Sequence, residues 1–296
     1  MEVSSDQQAD PRALLYLIDH LAPGSSIERT IQVANTTTAV AHVVLYSSAA
    51  SIDAGSFLGA DGHTKNDLAV WTAPTPDMLE VPAGGTLTAT VAVAVPWDAA
   101  PGERYGVVWA ETRTSPPGGV GVTQVSRVGL RLYLSVGPGG APAADFKIDS
   151  LTPARGADGR PVVVATVHNT GGRALDMNGT LQLLDGPGGL NAGPFPATLG
   201  TTLGIGATEP VTITLDGRLP RGPWDARIML RSGLLERSAR ATIEFPRTGS
   251  APPVPVRVPN RRAWHQQWLL LPGAFALGAG GLAALHRRRR YNPMHT

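Results

Sequence analysis

Apolar and polar residues alternate along most of the chain with a period of two, the repeat of a strand that buries one face. Ile27, Arg29, Ile31 and Val33 fall on one face, with Glu28, Thr30 and Gln32 on the other. Thr86 to Val95 alternates threonine, alanine and valine in the same way. Further strands are predicted over Leu14–Ile18, Val40–Tyr46, Leu79–Val81, Tyr105–Glu111 and Gln124–Val136. A second set covers Phe146–Leu151, Val162–His168, Leu181–Leu184, Val211–Leu215, Ala226–Leu230 and Ala239–Phe245. Turns rich in glycine, proline and asparagine separate them, including Ala22-Pro23-Gly24, Asn35-Thr36-Thr37 and Pro82-Ala83-Gly84-Gly85. Short strands at this spacing predict antiparallel β-sandwiches.

The period changes once. Trp268 to Leu285 is uncharged and ends at His286 and Arg287-Arg288-Arg289-Arg290. Eighteen residues at about 1.5 Å each give roughly 27 Å of helix, close to the thickness of a bilayer's hydrocarbon core. A membrane span over 264–286 is therefore expected, with the arginines of the 287–296 tail on the cytoplasmic side. The first thirty residues show no basic start, apolar run and small-residue cleavage site. The expected arrangement still puts the strand-rich part outside the cell, in the plasma membrane by a single pass. Ala274, Gly278, Gly280 and Ala284 repeat at short spacing on the span, Ala274 to Gly278 and Gly280 to Ala284 four apart, small enough to admit a helix partner in the membrane.

The expected organisation is a first domain at 11–137 with an inserted loop at 48–72, a linker at 138–145, and a second domain at 146–246. A proline-rich stalk at 247–263 then leads to the span. The two strand sets resemble divergent copies of one plan. Val33-Ala34-Asn35-Thr36 in the first corresponds to Val167-His168-Asn169-Thr170 in the second. Each has a later glycine-rich turn into a threonine-containing strand, at Gly84-Gly85-Thr86 and Gly206-Ala207-Thr208. Tyr105 and Trp224 follow at matching strand starts and are read as corner and core residues.

Charge narrows the partners. The formal charge is +2, but six of the 25 basic residues lie at or beyond Arg261 and all 23 acidic residues precede it. The strand-rich part is thus slightly acidic, with no basic face for nucleic acid. There is no cysteine, which excludes disulfides and thiolate metal sites.

Val-x-Asn-Thr, a tryptophan-bearing loop and VPAGGTLTATVAVAVPWDAAPGERYGVVWAE together resemble the amino-terminal domain of the WxL-interacting proteins, cell-surface proteins of Gram-positive bacteria. The resemblance implies an all-β chain with two immunoglobulin-like antiparallel β-sandwich domains in tandem and one carboxy-terminal transmembrane α-helix. It also implies peptidoglycan binding by the first domain and a surface-protein partner for the second, with no catalytic residues.

No nucleophile elbow, zinc-protease helix or phosphate loop is present. Asp61 to Asp67 offers oxygen ligands without the acid spacing of a calcium loop, and reads as a solvated turn. Asp61, His63, Trp71 and Trp97 are the candidate ligand-binding residues, the tryptophans because their faces stack on sugars or anchor protein interfaces. No metal or cofactor is expected. The expected function is a non-catalytic, membrane-anchored adaptor that binds cell-wall polymer or an exported surface protein. Two alternatives are an assembly subunit recruited through its membrane helix, and an envelope hydrolase using Asp53, Asp61 and Asp67.

Overall fold

The computed structural model describes residues 12, 15–114 and 121–258. Its N-terminal half contains β1 (Leu17–Leu21), β2 (Ser26–Ala34), β3 (Ala41–Asp53), β4 (Ser56–Gly59), the short helix α1 (Asp67–Trp71) and β5 (Thr72–Thr75). It continues with β6 (Met78–Val81), β7 (Thr86–Ala94), β8 (Gly102–Thr114) and β9 (Gln124–Val136). One sheet has the order β1-β9-β8-β3-β4, with β6 also on β3, and the other has the order β2-β7-β5. Leu132, Leu134, Val136 and Val108 of the first sheet pack against Val91 and Val93 of the second, with Leu68 of α1 between them. The period-two rows thus meet face to face, as in a sandwich.

The C-terminal half contains β10 (Phe146–Arg155), β11 (Pro161–Asn169), β12 (Leu175–Asp176), β13 (Asn178–Leu184) and β14 (Ala192–Pro196). It is completed by β15 (Thr202–Leu203), β16 (Thr208–Thr214), β17 (Trp224–Ser232), β18 (Leu235–Ile243) and β19 (Val254–Pro255). Four-stranded sheets of order β16-β11-β10-β19 and β14-β13-β17-β18 enclose a core built on Phe146, Leu151, Val163, Leu181, Trp224 and Phe245. The described chain is all-β apart from α1 and short 3-10 turns, among them Pro187–Gly189.

Two stretches differ from the sequence expectation. The expected loop at 48–72 is largely ordered structure. β3 runs on to Asp53, and Ala54 and Gly55, at φ 45° and 73°, turn it back into β4. A two-residue turn with both residues left-handed matches the twist of a hairpin. The helix α1 that follows is capped by Asn66, whose Oδ1 accepts the Ala69 N–H at 3.0 Å while its Nδ2 donates to the Tyr105 carbonyl at 2.8 Å.

The proline-rich segment, expected as a stalk, lies along the C-terminal half as far as Val258. Val254 and Pro255 pair with Leu151 and Ser150, the Ala251 N–H donates to the Pro153 carbonyl, and Arg257 exchanges two backbone bonds with Arg240. It therefore joins the edge of β10 in one sheet to the edge of β18 in the other. Proline is compatible with an edge position because only one side of the strand needs donors.

The expected membrane span at 264–286 and its residues Ala274, Gly278, Gly280 and Ala284 lie outside the described residues. Among the described residues no helix is long and apolar enough to cross a membrane.

Candidate functional site

β9 has two parts. Leu132 to Val136 is buried, with β8 on one side and β1 parallel to it on the other, from Leu17↔Leu132 to Leu21↔Val136. Gln124 to Arg131 pairs with β8 alone, and no described strand lies on its other side. The inward row continues from Leu132 to Leu130 and Val128 by alternation. Leu130 is only half-buried, and Val128 is 76% exposed. An apolar residue on the inner face of a sandwich is thus left exposed beside a stretch of β9 that has no second neighbour among the described strands. Across the seam stand Ile31 and Val33 of β2, both partly buried against the core.

The outer face of the same sheet carries a polar and aromatic cluster. Tyr46 is opposite Trp109, and Trp109 is opposite Gly129. A Cβ at Gly129 would lie 2.7 Å from the Trp109 ring and one at Gly59 would lie 2.8 Å from it, so both positions must be glycine for the indole to lie flat. Tyr46 donates to Glu111 Oε2 at 2.8 Å, and Arg113 donates to Glu111 Oε1 at 2.7 Å. These bonds hold the Glu111 carboxyl below its ordinary range, the Arg113 contact being the stronger cause. Arg127 stands 5.6 Å over the Trp109 ring.

The four candidate ligand residues are distributed over three places. His63 stacks on Tyr46 with ring centroids 4.1 Å apart, and Asp61 lies 3.7 Å from Arg127 in an exposed ion pair, so these two join the outer-face cluster. Trp71 ends α1, partly packed on the core beneath Arg104 at 4.9 Å. Trp97 is 83% exposed in the turn after β7, beside Gly24. Asp67 pairs with Arg104 rather than with Asp61, and among the described residues no three His, Asp or Glu side chains form a metal-sized group.

Sequence reading missed the contact between the halves. Asp176 Oδ1 accepts from Arg131 at 3.1 Å, Tyr133 at 3.0 Å and Thr202 at 2.8 Å. Glu103 Oε2 accepts from Tyr105 and from the Ala174 N–H, both at 2.7 Å. Burial raises the Glu103 carboxyl above its ordinary value, and burial also raises the Tyr105 and Tyr133 hydroxyls. The β3–β4 hairpin completes the contact, with the Gly55 carbonyl accepting the Thr202 N–H at 2.7 Å and Phe57 packing on Tyr133 at 5.2 Å. Tyr105, expected as a corner residue of its own sandwich, therefore faces the other half. Trp224 is a core residue, with Nε1 donating to the Pro220 carbonyl at 3.0 Å.

No family model matches the chain, and no curated protein matches it. Solved structures do. The Pseudomonas aeruginosa CupB2 chaperone is 14% identical over 77% of this chain and 97% of its own, with TM-score 0.40. The periplasmic chaperone SfaE gives 14%, 77%, 97% and 0.38. The CsuC–CsuE chaperone–tip adhesion subunit pre-assembly complex of Acinetobacter baumannii gives 11%, 76%, 94% and 0.38.

These findings correct the resemblance to WxL-interacting proteins. The similar structures are chaperones, one of them periplasmic, and the reading of a plasma-membrane-anchored, peptidoglycan-binding adaptor of Gram-positive cells falls with the resemblance. The motifs behind it report sandwich geometry: the Asn35 side chain closes a turn, and Gly84-Gly85 opens a strand. Unrelated families share such geometry.

Proposed function

We propose that this protein is a non-catalytic, strand-accepting binding protein whose partner is an extended segment of an exported surface protein, held beside Gln124–Arg131 of β9. The observation that carries the reading is the exposed inward-facing Val128, next to a ladder edge that is paired, among the described residues, on one side only. An open edge offers a row of backbone donors and acceptors, and natural proteins protect such edges unless they use them. Backbone bonds would supply affinity, and alternate apolar side chains of the incoming strand would fill the seam between Val128, Leu130, Ile31 and Val33. A tip adhesion subunit, such as that of the CsuC–CsuE pre-assembly complex, is a partner of this class. The open edge supports the reading; the weak structural likeness adds nothing to it. We take the two halves as sandwich domains, 11–137 and 146–246, joined at 138–145, with the outer-face residues Asp61 and His63 flanking the edge.

The chain has no cysteine, so Val128→Cys provides a single reporter thiol. Peptides of nine alternating threonine and valine residues, each with one cysteine at a different position, should form disulfides with it at alternate positions only. Equal cross-linking at every position would show collision without a register and would overturn the reading.

A further inference from the structure

The receptive edge ends where β1 begins, and β1 is weakly held by its ladder. It is five residues long, lies at the sheet edge and pairs in parallel, the slightly less stable arrangement. A strand adding to β9 could in principle continue past Arg131 by peeling β1 away, since Leu132, Leu134 and Val136 offer an equally apolar row.

A buried ion pair opposes this. Asp19 lies on the inward face of β1 between Leu17 and Leu21, and Arg29 lies on the inward row of β2 between Ile27 and Ile31. Their side chains meet across the seam as a salt bridge, 9% and 14% exposed. β1 and β2 belong to different sheets, so the pair pins the edge of one sheet to the edge of the other. Detaching β1 would separate two opposite charges that little water reaches, and breaking a buried ion pair is strongly unfavourable. Further contacts hold β1 as well, among them the Gly137 N–H donating to the Leu21 carbonyl at 3.1 Å and Ser135 reaching the Asp19 carbonyl at 3.5 Å.

We propose that Asp19 and Arg29 are a positioning pair that fixes the length of the receptive edge, holding β1 on Leu132–Val136 so that only Gln124–Arg131 accepts a partner strand. This rests on the strand-accepting reading above and specifies the ligand: a strand segment of about eight residues, roughly 26 Å at 3.3 Å per residue. With β1 released, the whole of β9, 13 residues, would be available.

The test is hydrogen exchange on the full chain with alternating threonine–valine peptides of five, nine and thirteen residues, carrying terminal lysines for solubility. In the wild-type protein the peptides should protect amides of 124–131, and affinity should stop rising between nine and thirteen residues. Amides of 132–136 should stay protected with or without peptide. In Asp19→Asn they should exchange at least tenfold faster without peptide, and the thirteen-residue peptide should bind more tightly than the nine-residue one. In Asp19→Leu/Arg29→Met, which keeps the seam filled with apolar chains, the wild-type pattern should return. Unchanged protection of 132–136 in folded Asp19→Asn would overturn the proposal. So would a steady rise of affinity to thirteen residues in the wild type, a result independent of whether the variant folds. Absence of any protection at 124–131 in the wild type would instead remove the strand-accepting reading itself.

Discussion

Asn35 and Asn169 make the same set of bonds in the two halves of the chain. Nδ2 of Asn35 donates to the carbonyls of Ala39 at 2.7 Å, Val81 at 3.0 Å and Pro82 at 3.0 Å. Nδ2 of Asn169 donates to those of Arg173 at 2.9 Å, Leu203 at 3.2 Å and Gly204 at 3.0 Å. Each Oδ1 accepts a backbone N–H two residues on, from Thr37 and from Gly171. One amide thus ties the end of a strand to its own turn and to a distant loop. Both are buried, Asn169 at 1% exposure and Asn35 at 7%. Asn→Ala at either position should destabilise the protein by about 1–3 kcal/mol, because buried carbonyls lose their donor. Asn169→Ala should cost more, and Asp at either site should not rescue, since it offers no N–H. Thermal unfolding of the four variants checks both statements.

Glu103 and Glu111 should respond to pH in opposite directions. Burial raises the folded-state value of Glu103, so its favourable contribution is full below the unfolded-chain value and is lost as pH rises through the raised one. Glu103→Gln should therefore raise the melting temperature at pH 8 and have little effect at pH 4. Hydrogen bonds from Arg113 and Tyr46 lower Glu111, whose contribution is full above the unfolded-chain value and is lost as pH falls through the lowered one. Glu111→Gln should lower the melting temperature at pH 8, with the difference closing in acid. Melting curves from pH 3 to 9 decide each sign.

Ala54 sits at φ 45° in the hairpin that meets the C-terminal half. A side chain in the left-handed region costs about 1–2 kcal/mol, and asparagine tolerates it better than alanine. Ala54→Asn should stabilise the protein by roughly 1 kcal/mol. Gly55→Ala should destabilise it, because a Cβ there would come within 3.1 Å of Glu209 at φ 73°. Chemical denaturation measures both, and a destabilised Ala54→Asn would mean that the strain is not relieved.

Gly129→Ala should lift the Trp109 ring from the sheet, since its Cβ would meet Trp109 at 2.7 Å and Val107 at 2.8 Å. Overpacking of this kind costs about 1–3 kcal/mol. The expected readout is a red shift of tryptophan emission together with lower stability; an unchanged spectrum would show that the ring accommodates the methyl group.

The asparagine repeat was legible in the sequence because its chemistry is local. A strand end, an Asn-Thr pair and a glycine-rich turn recur in order, and both asparagines take the same role. The candidate site was much less legible. Asp61 and His63 join the outer-face cluster, whereas Trp71 and Trp97 stand apart from it. Loop residues carry no record of which sheet face they will cover. Gln124–Val136 was read as a strand, yet nothing in its alternation says that half of it has a described strand on one side only. Pairing depends on where β1 ends, and β1 lies more than a hundred residues earlier in the chain.

By itself the sequence determined the all-β character of the described chain, the two strand sets and the asparagine-closed turns. Period-two alternation and turn chemistry act over a few residues, and the chain states them directly. The tertiary structure decided the open edge of β9, the Asp19–Arg29 bridge, the convergence of Arg131 and Tyr133 on Asp176, and the course of 246–258 along β10 and β18. Each of these brings together residues remote in the chain or set on opposite sheets. Which strands become neighbours follows from how whole sheets stack, and no local pattern of apolar and polar residues encodes it.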